Sequence, residues 1–194
     1  MPTECCAWLA PLQLTTLDPA LVRDLNQMFL VRQVFAGLMR FDDDLQPVPA
    51  IAESYDVSED GLVYTFHLDP SARFYDGRQI VAADVVYSFD RAFDPAIAGG
   101  NAAALGAPTF LADIEGAADR LNGGADLLTG VVALDEQTVR VTLSQPRSTF
   151  LMRLASPRLR LWTRRICHSA SGGGNRRMPQ VRSGLPVFPT RVSR

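Results

Sequence analysis

Lysine is absent from these 194 residues, and all nineteen basic side chains are arginine. Histidine occurs only at positions 67 and 168, and cysteine only at 5, 6 and 167. These scarcities exclude several chemistries. Cysteines that are odd in number and partly adjacent give no metal-like pair spacing and fix no redox compartment. His67 falls on the less apolar face of a predicted strand and reads as a half-exposed surface residue rather than a base. His168 follows Cys167 in a stretch without hydrophobic patterning, which sets aside a Cys–His nucleophile. The Gly172-Gly173-Gly174 run has no strand before it and no Lys or Thr after it, so it is not a phosphate loop. Asp42-Asp43-Asp44 lacks the spaced ligands and glycine of a calcium loop and reads as a solvated turn. No enzyme motif, cofactor site or metal site is expected. No apolar run approaches the ~18 residues of a membrane span. Met1 to Leu9 shows neither a basic opening nor an apolar run of about 7–15 residues, so no signal peptide is visible.

Acidic residues are also missing from one end. Residues 1–156 carry 21 acids and 10 arginines, a charge of 10 − 21 = −11, while residues 157–194 carry nine arginines and no acid, +9, which together give the overall −2. The near-neutral total therefore hides two unlike segments and says nothing of partners. In the second segment Pro157, Pro179, Pro186, Pro189 and the glycine run interrupt every period. Residues 157–194 read as an Arg-rich irregular tail, either translated out of frame or disordered; an arginine arm for nucleic acid is the third reading. The absence of lysine points to a GC-rich gene, in which off-frame codons commonly give Arg, Pro, Gly and Ser.

What is present is concentrated between Ala52 and Phe89. Leu62, Tyr64, Phe66 and Leu68 alternate with Val63, Thr65 and His67, the period of a strand with one buried face. Tyr55 and Val57 continue an apolar set on a preceding strand. Ser58-Glu59-Asp60-Gly61 lies between the two runs, with Gly61 free to adopt the positive φ of a tight hairpin. Asp76-Gly77 supplies a second turn. Val85, Phe89 and Phe93 recur at the spacing of a helix stripe, and Asp84 falls in its first turn, where negative charge is favoured. Val81 stands where a capping hydroxyl would help, a loss of roughly 0.5–2 kcal/mol. Upstream, Leu21, Leu25, Met28, Phe35 and Leu38 fall near helical spacing after Asp18-Pro19, a plausible helix or turn start. Downstream, Val131–Leu134 and Thr138–Leu143 flank Asp135-Glu136-Gln137 as another hairpin.

These motifs in this order resemble the family 5 solute-binding proteins, the oligopeptide, dipeptide and nickel receptors of ABC importers. The block AESYDVSEDGLVYTFHLDPSARFYDGRQIVAADVVYSF carries the resemblance. Leu17-Asp18-Pro19, Phe35-Ala36-Gly37-Leu38, the second hairpin, and Pro146 with Phe150-Leu151 extend it over about residues 14 to 156. The resemblance implies an α+β fold, periplasmic binding protein-like (type II), with antiparallel hairpins and flanking helices and a second lobe missing. Residues 1–36 would open a discontinuous first domain, and 37–156 would form the inserted small domain. A segment near 150 residues can bury roughly 68–70% of its unfolded surface and hold one core.

The implied function is the substrate-binding component of an ABC importer, in truncated form. The expected partners are a small oligopeptide-like solute and a permease in the inner membrane, with no nucleic acid and a monomeric state. The implied location is periplasmic or at the extracellular cell surface, although Glu4 before Cys5 does not suit a lipoprotein cleavage site. In oligopeptide-binding members an acidic residue five positions after the Asp of L-D-P pairs with the peptide amine. Arg23 occupies that position here, and its planar fork suits a carboxylate or phosphate instead; an exposed helix-side arginine is the plainer reading. Leu25 holds a position that can line the cleft. Asn101, seven residues after Asp94, stands where oligopeptide members carry a cleft-facing Tyr, and either bonds a ligand or holds a turn. Thr15 and Thr16 are further ligand candidates. Two other readings remain beside the receptor: a non-functional fragment or interaction module with an exposed apolar patch, and a basic-tail nucleic-acid binder.

Overall fold

A computed structural model describes residues 15–156. The readings placed on 157–194 and on Met1 to Leu9 lie outside the described residues.

The alternating runs fold as their period requires. Strand β3 (Ala52–Val57) pairs antiparallel with β4 (Val63–Leu68), joined through Ser58 to Gly61. Gly61 has φ +69°, and the Asp60 carboxylate accepts from the Ser58 hydroxyl and the Leu62 amide. Strand β5 (Val131–Ala133) pairs with β6 (Thr138–Thr142), and β6 lies against β4, so the sheet order is β3-β4-β6-β5. Register places Tyr55, Phe66, Val139 and Ala133 in one row and Val57, Tyr64, Val141 and Val131 in the next. Phe66, Val139, Tyr64, Val141 and Val131 in those rows turn inward, while Ala133 is exposed at the end of β5; Asp56, Thr65, Arg140 and Val132 form the outward row between them. Val57, placed in an apolar set by the sequence, is 45% exposed, because it closes an edge strand beyond the reach of the core. His67 stands on the outward face and bonds Asp56 at 3.0 Å.

Helix α2 (Ala82–Ala92) covers the inner face with Val85, Phe89 and then Phe93 buried. Val81 precedes it without a capping oxygen. Asp84 supplies half of the missing arrangement: its carboxylate accepts from the Val81 amide at 3.1 Å and from both Arg78 terminal nitrogens at 2.8 and 3.0 Å. Arg78 also lies over the Phe74 ring, 4.3 Å from its centroid.

A small hairpin of β1 (Met39–Phe41) and β2 (Pro47–Pro49), which the sequence reading did not anticipate, turns through Asp42 to Gln46. The Asp42 carboxylate accepts from the Asp44 and Gln46 amides, so the acidic run is a solvated turn. Short helices α3 (Pro108–Leu111), α4 (Ala117–Leu121) and α5 (Phe150–Leu154) complete the shell. One hydrophobic cluster runs from Leu38 to Ala155, with Phe66, Phe89, Phe93 and Phe150 at its centre.

The first helix departs from expectation. Asp18-Pro19, read as a helix or turn start, opens a turn, with the Leu21 and Val22 amides bonded to the Asp18 carbonyl. Helix α1 (Leu25–Val34) begins six residues beyond Pro19, capped by Asp24, whose carboxylate accepts from the Asn26 and Gln27 amides. Leu25 and Phe29 are 79% and 64% exposed, while Gln27 and Val31 are buried. The apolar spacing counted from Leu21 therefore does not mark the buried face: Leu21 lies before the helix, and a phase set there does not carry into it.

Candidate functional site

Thr15, Thr16, Arg23 and Leu25 lie on one continuous stretch leading into α1, whereas Asn101 lies in the loop that follows α2. The Thr16 hydroxyl accepts from the Asp18 amide at 3.0 Å, an anchor for the turn. The Thr15 hydroxyl accepts from the Gln27 side-chain amide at 2.8 Å, which ties the stretch to its own helix. Each hydroxyl keeps its proton to donate elsewhere. Arg23 is exposed immediately before the capping Asp24, and it pairs with no carboxylate among the described residues. Leu25 projects into open space.

Asn101 is exposed as well, and its side-chain oxygen accepts from the Ala103 amide at 3.2 Å, capping a one-turn 3-10 segment over Ala102–Ala104. It holds a turn, the plainer of the two roles read for it. The loop carrying it meets the first stretch at one backbone bond, from the Gly106 amide to the Ala20 carbonyl, 2.9 Å. The two threonines and Arg23 thus share one stretch of chain, and Asn101 makes no hydrogen bond to any of them.

Beneath this stretch lies a contact the sequence did not reveal. Asp18 and Arg91, 73 residues apart, form a two-point ion pair: Nη1 donates to Oδ1 at 2.8 Å and Nη2 donates to Oδ2. Their side chains are 14% and 9% exposed. Asp18 is visible within L-D-P, but nothing around Arg91 distinguishes it from any other arginine in a last helical turn.

Two other charge clusters brace the body. Asp113 accepts from Gln145, Arg147 and Arg153. Burial pushes its carboxyl up, but the Gln145 and Arg147 hydrogen bonds and the Arg147 and Arg153 charges outweigh that and hold it below its ordinary value. Arg120 bonds Asp90 and reaches Asp94 at 3.2 Å, and the Asp90 hydrogen bond leads the causes that raise its pKa against burial. Asp90 also accepts from the Leu128 amide, fastening the loop before β5 to α2. Among the described residues no group of three or more His, Cys, Asp or Glu is placed to hold a metal ion, and no helix is long and apolar enough to cross a membrane.

The sheet, its covering helix and the stretch before α1 have the fold of part of a type II periplasmic binding protein. Over 79% of this chain and 30% of the other, the Listeria monocytogenes OppA structure bound to peptide superposes with a TM-score of 0.70 at 30% identity. The model for bacterial extracellular solute-binding proteins, family 5, matches residues 46–162. This chain belongs to that family. The periplasmic oligopeptide-binding protein OppA of Escherichia coli K12 is 36% identical over 146 residues, 75% of this chain and 26% of its own length. The probable deoxycholate-binding periplasmic protein YgiS of the same strain is 37% identical over 145 residues, 74% of this chain and 26% of its own length. The chain thus spans about a quarter of the length of these curated relatives.

Proposed function

We propose that residues 15–156 form part of the solute-binding component of an ABC importer that receives a small peptide-like compound outside the inner membrane and delivers it to the permease. The observation that carries this reading is the likeness over 79% of the chain to a family member solved with peptide. The solute undergoes no chemistry; affinity comes from contacts in a cleft that closes over it. No cofactor takes part, and the receptor acts as a monomer in the periplasm or at the extracellular cell surface. Residues before 37 open the first domain, and 37–156 are the inserted one.

Thr15, Thr16 and Arg23 are the solute face of this part, with Leu25 and Asn101 at its margins. An unpaired guanidinium favours a carboxylate or phosphate and disfavours a free amine. Overall identity does not choose the solute, since relatives named for oligopeptide and for deoxycholate match equally well.

The test is a chimera in which residues 15–156 replace the matching segment of the Escherichia coli oligopeptide-binding protein. Thermal-shift titration with a peptide panel is expected to show binding, with N-acetylated peptides preferred. Arg23→Glu should tighten binding of free-amine peptides about tenfold, a change near 1.4 kcal/mol. A folded chimera indifferent to every peptide removes the transport reading.

A further inference from the structure

We propose that Asp18 and Arg91 form a latch holding residues 15–34 on the hairpin body as a separately releasable arm. The latch also fixes where Thr15, Thr16 and Arg23 are presented, a consequence that rests on the solute-face reading above. Three observations converge on it.

The arm packs apart from the main core: its buried Ala20, Val22, Gln27 and Val31 lie outside the central cluster. α1 covers only Gln27 and Val31, exposes Leu25 and Phe29, and packs extensively against no other helix or strand. The anchor is firm by contrast: Arg91 stands on α2, whose Val85 and Phe89 lie in the central cluster. Finally, one carboxylate does both jobs. While Asp18 receives the Arg91 fork, its Oδ1 also accepts from the Ala20 amide at 3.0 Å, within the turn whose Leu21 and Val22 amides return to the Asp18 carbonyl. Ala20 in turn accepts from Gly106. Removing one member of a buried pair takes from the other's charge its two-point partner. Swinging the arm away restores water to that charge without disturbing the sheet, so the fold opens locally at this point before it opens globally. Asp18 and Arg91 are positioning residues, since they act through the turn.

Amide hydrogen exchange on the complete 194-residue chain tests the latch with no solute present, so failure of the solute-face reading leaves the outcome intact. In Asp18→Asn the amides of Leu21, Val22 and Gly106 are expected to exchange about tenfold faster, while those of β4 and β6 stay within about twofold. Arg91→Lys keeps the charge and loses the two-point fork, and should give a smaller acceleration of the same amides. If Asp18→Asn does not fold, Arg91→Lys carries the comparison alone. An arm accelerated at least about fivefold more than the sheet supports the latch. A smaller ratio, an unchanged arm, or loss of fold in both variants overturns it.

Discussion

Asp84 shows how a single side chain compensates for a neighbour. Valine at 81 offers no acceptor, yet the Asp84 carboxylate takes the Val81 amide, and the Asp84 amide already donates to the Val81 carbonyl at 2.9 Å. Val81→Thr should therefore recover only the low end of a cap's worth, about 0.5 kcal/mol. Asp84→Ala removes both the amide contact and the Arg78 pair, and should cost about 1–3 kcal/mol. Urea midpoints with unchanged slopes would separate the two variants. Asp113 gives a pH dependence at the same scale. Its folded-state pKa lies below its ordinary value of 3.8, so its contribution is full above the unfolded pKa and is lost as pH falls through the folded one. The stability gap between wild type and Asp113→Asn, read from urea melts, should be open at pH 7 and should narrow steadily below about pH 4.

Elements depend on close approach as well as on period. Gly130 donates to the Glu115 carbonyl, and its own carbonyl receives the Thr142 amide. A Cβ built there would stand 2.5 Å from the Glu115 carbonyl oxygen and 2.8 Å from its nitrogen. Those atoms are backbone and cannot turn aside. Gly130→Ala should lower stability by about 1–3 kcal/mol, seen as a lower melting temperature, with the loss of protection concentrated in β5. Period alone read β4, β6 and α2 correctly, because each presents one face to a core. It misread α1, because that helix buries a glutamine and a valine while leaving Leu25 and Phe29 in the open. The β1–β2 hairpin escaped notice for another reason: three-residue strands containing Pro47 and Pro49 carry too little alternation to register.

On the scale of the whole molecule, a single cluster joins the sheet, α2 and α5, including the tilted Tyr64–Phe150 ring pair at 4.6 Å. Phe66 is fully buried in it. Phe66→Ala should cost about 3–5 kcal/mol, and should reduce exchange protection in β6 and α2 together while the arm before residue 35 changes least. A loss confined to β4 would mean that the cluster is not one cooperative unit. The exposed Leu25 and Phe29 lie outside it, on the helix that also carries the candidate solute residues at its N-terminal approach.

The sequence by itself determined the family, both hairpins with their register-setting turns, the α2 stripe, and the plain roles of His67 and the Asp42 turn. Those features are local, written within one strand pair or one helix period. Only the tertiary structure decided that Asp18 faces Arg91, that Asp113 gathers Gln145, Arg147 and Arg153, and that the first helix starts at Leu25 with its leucine outward. Charge pairing across 73 residues leaves no periodic trace, and any of ten arginines in residues 1–156 satisfies an aspartate equally well on paper. The folded chain alone brings one of them within bonding distance.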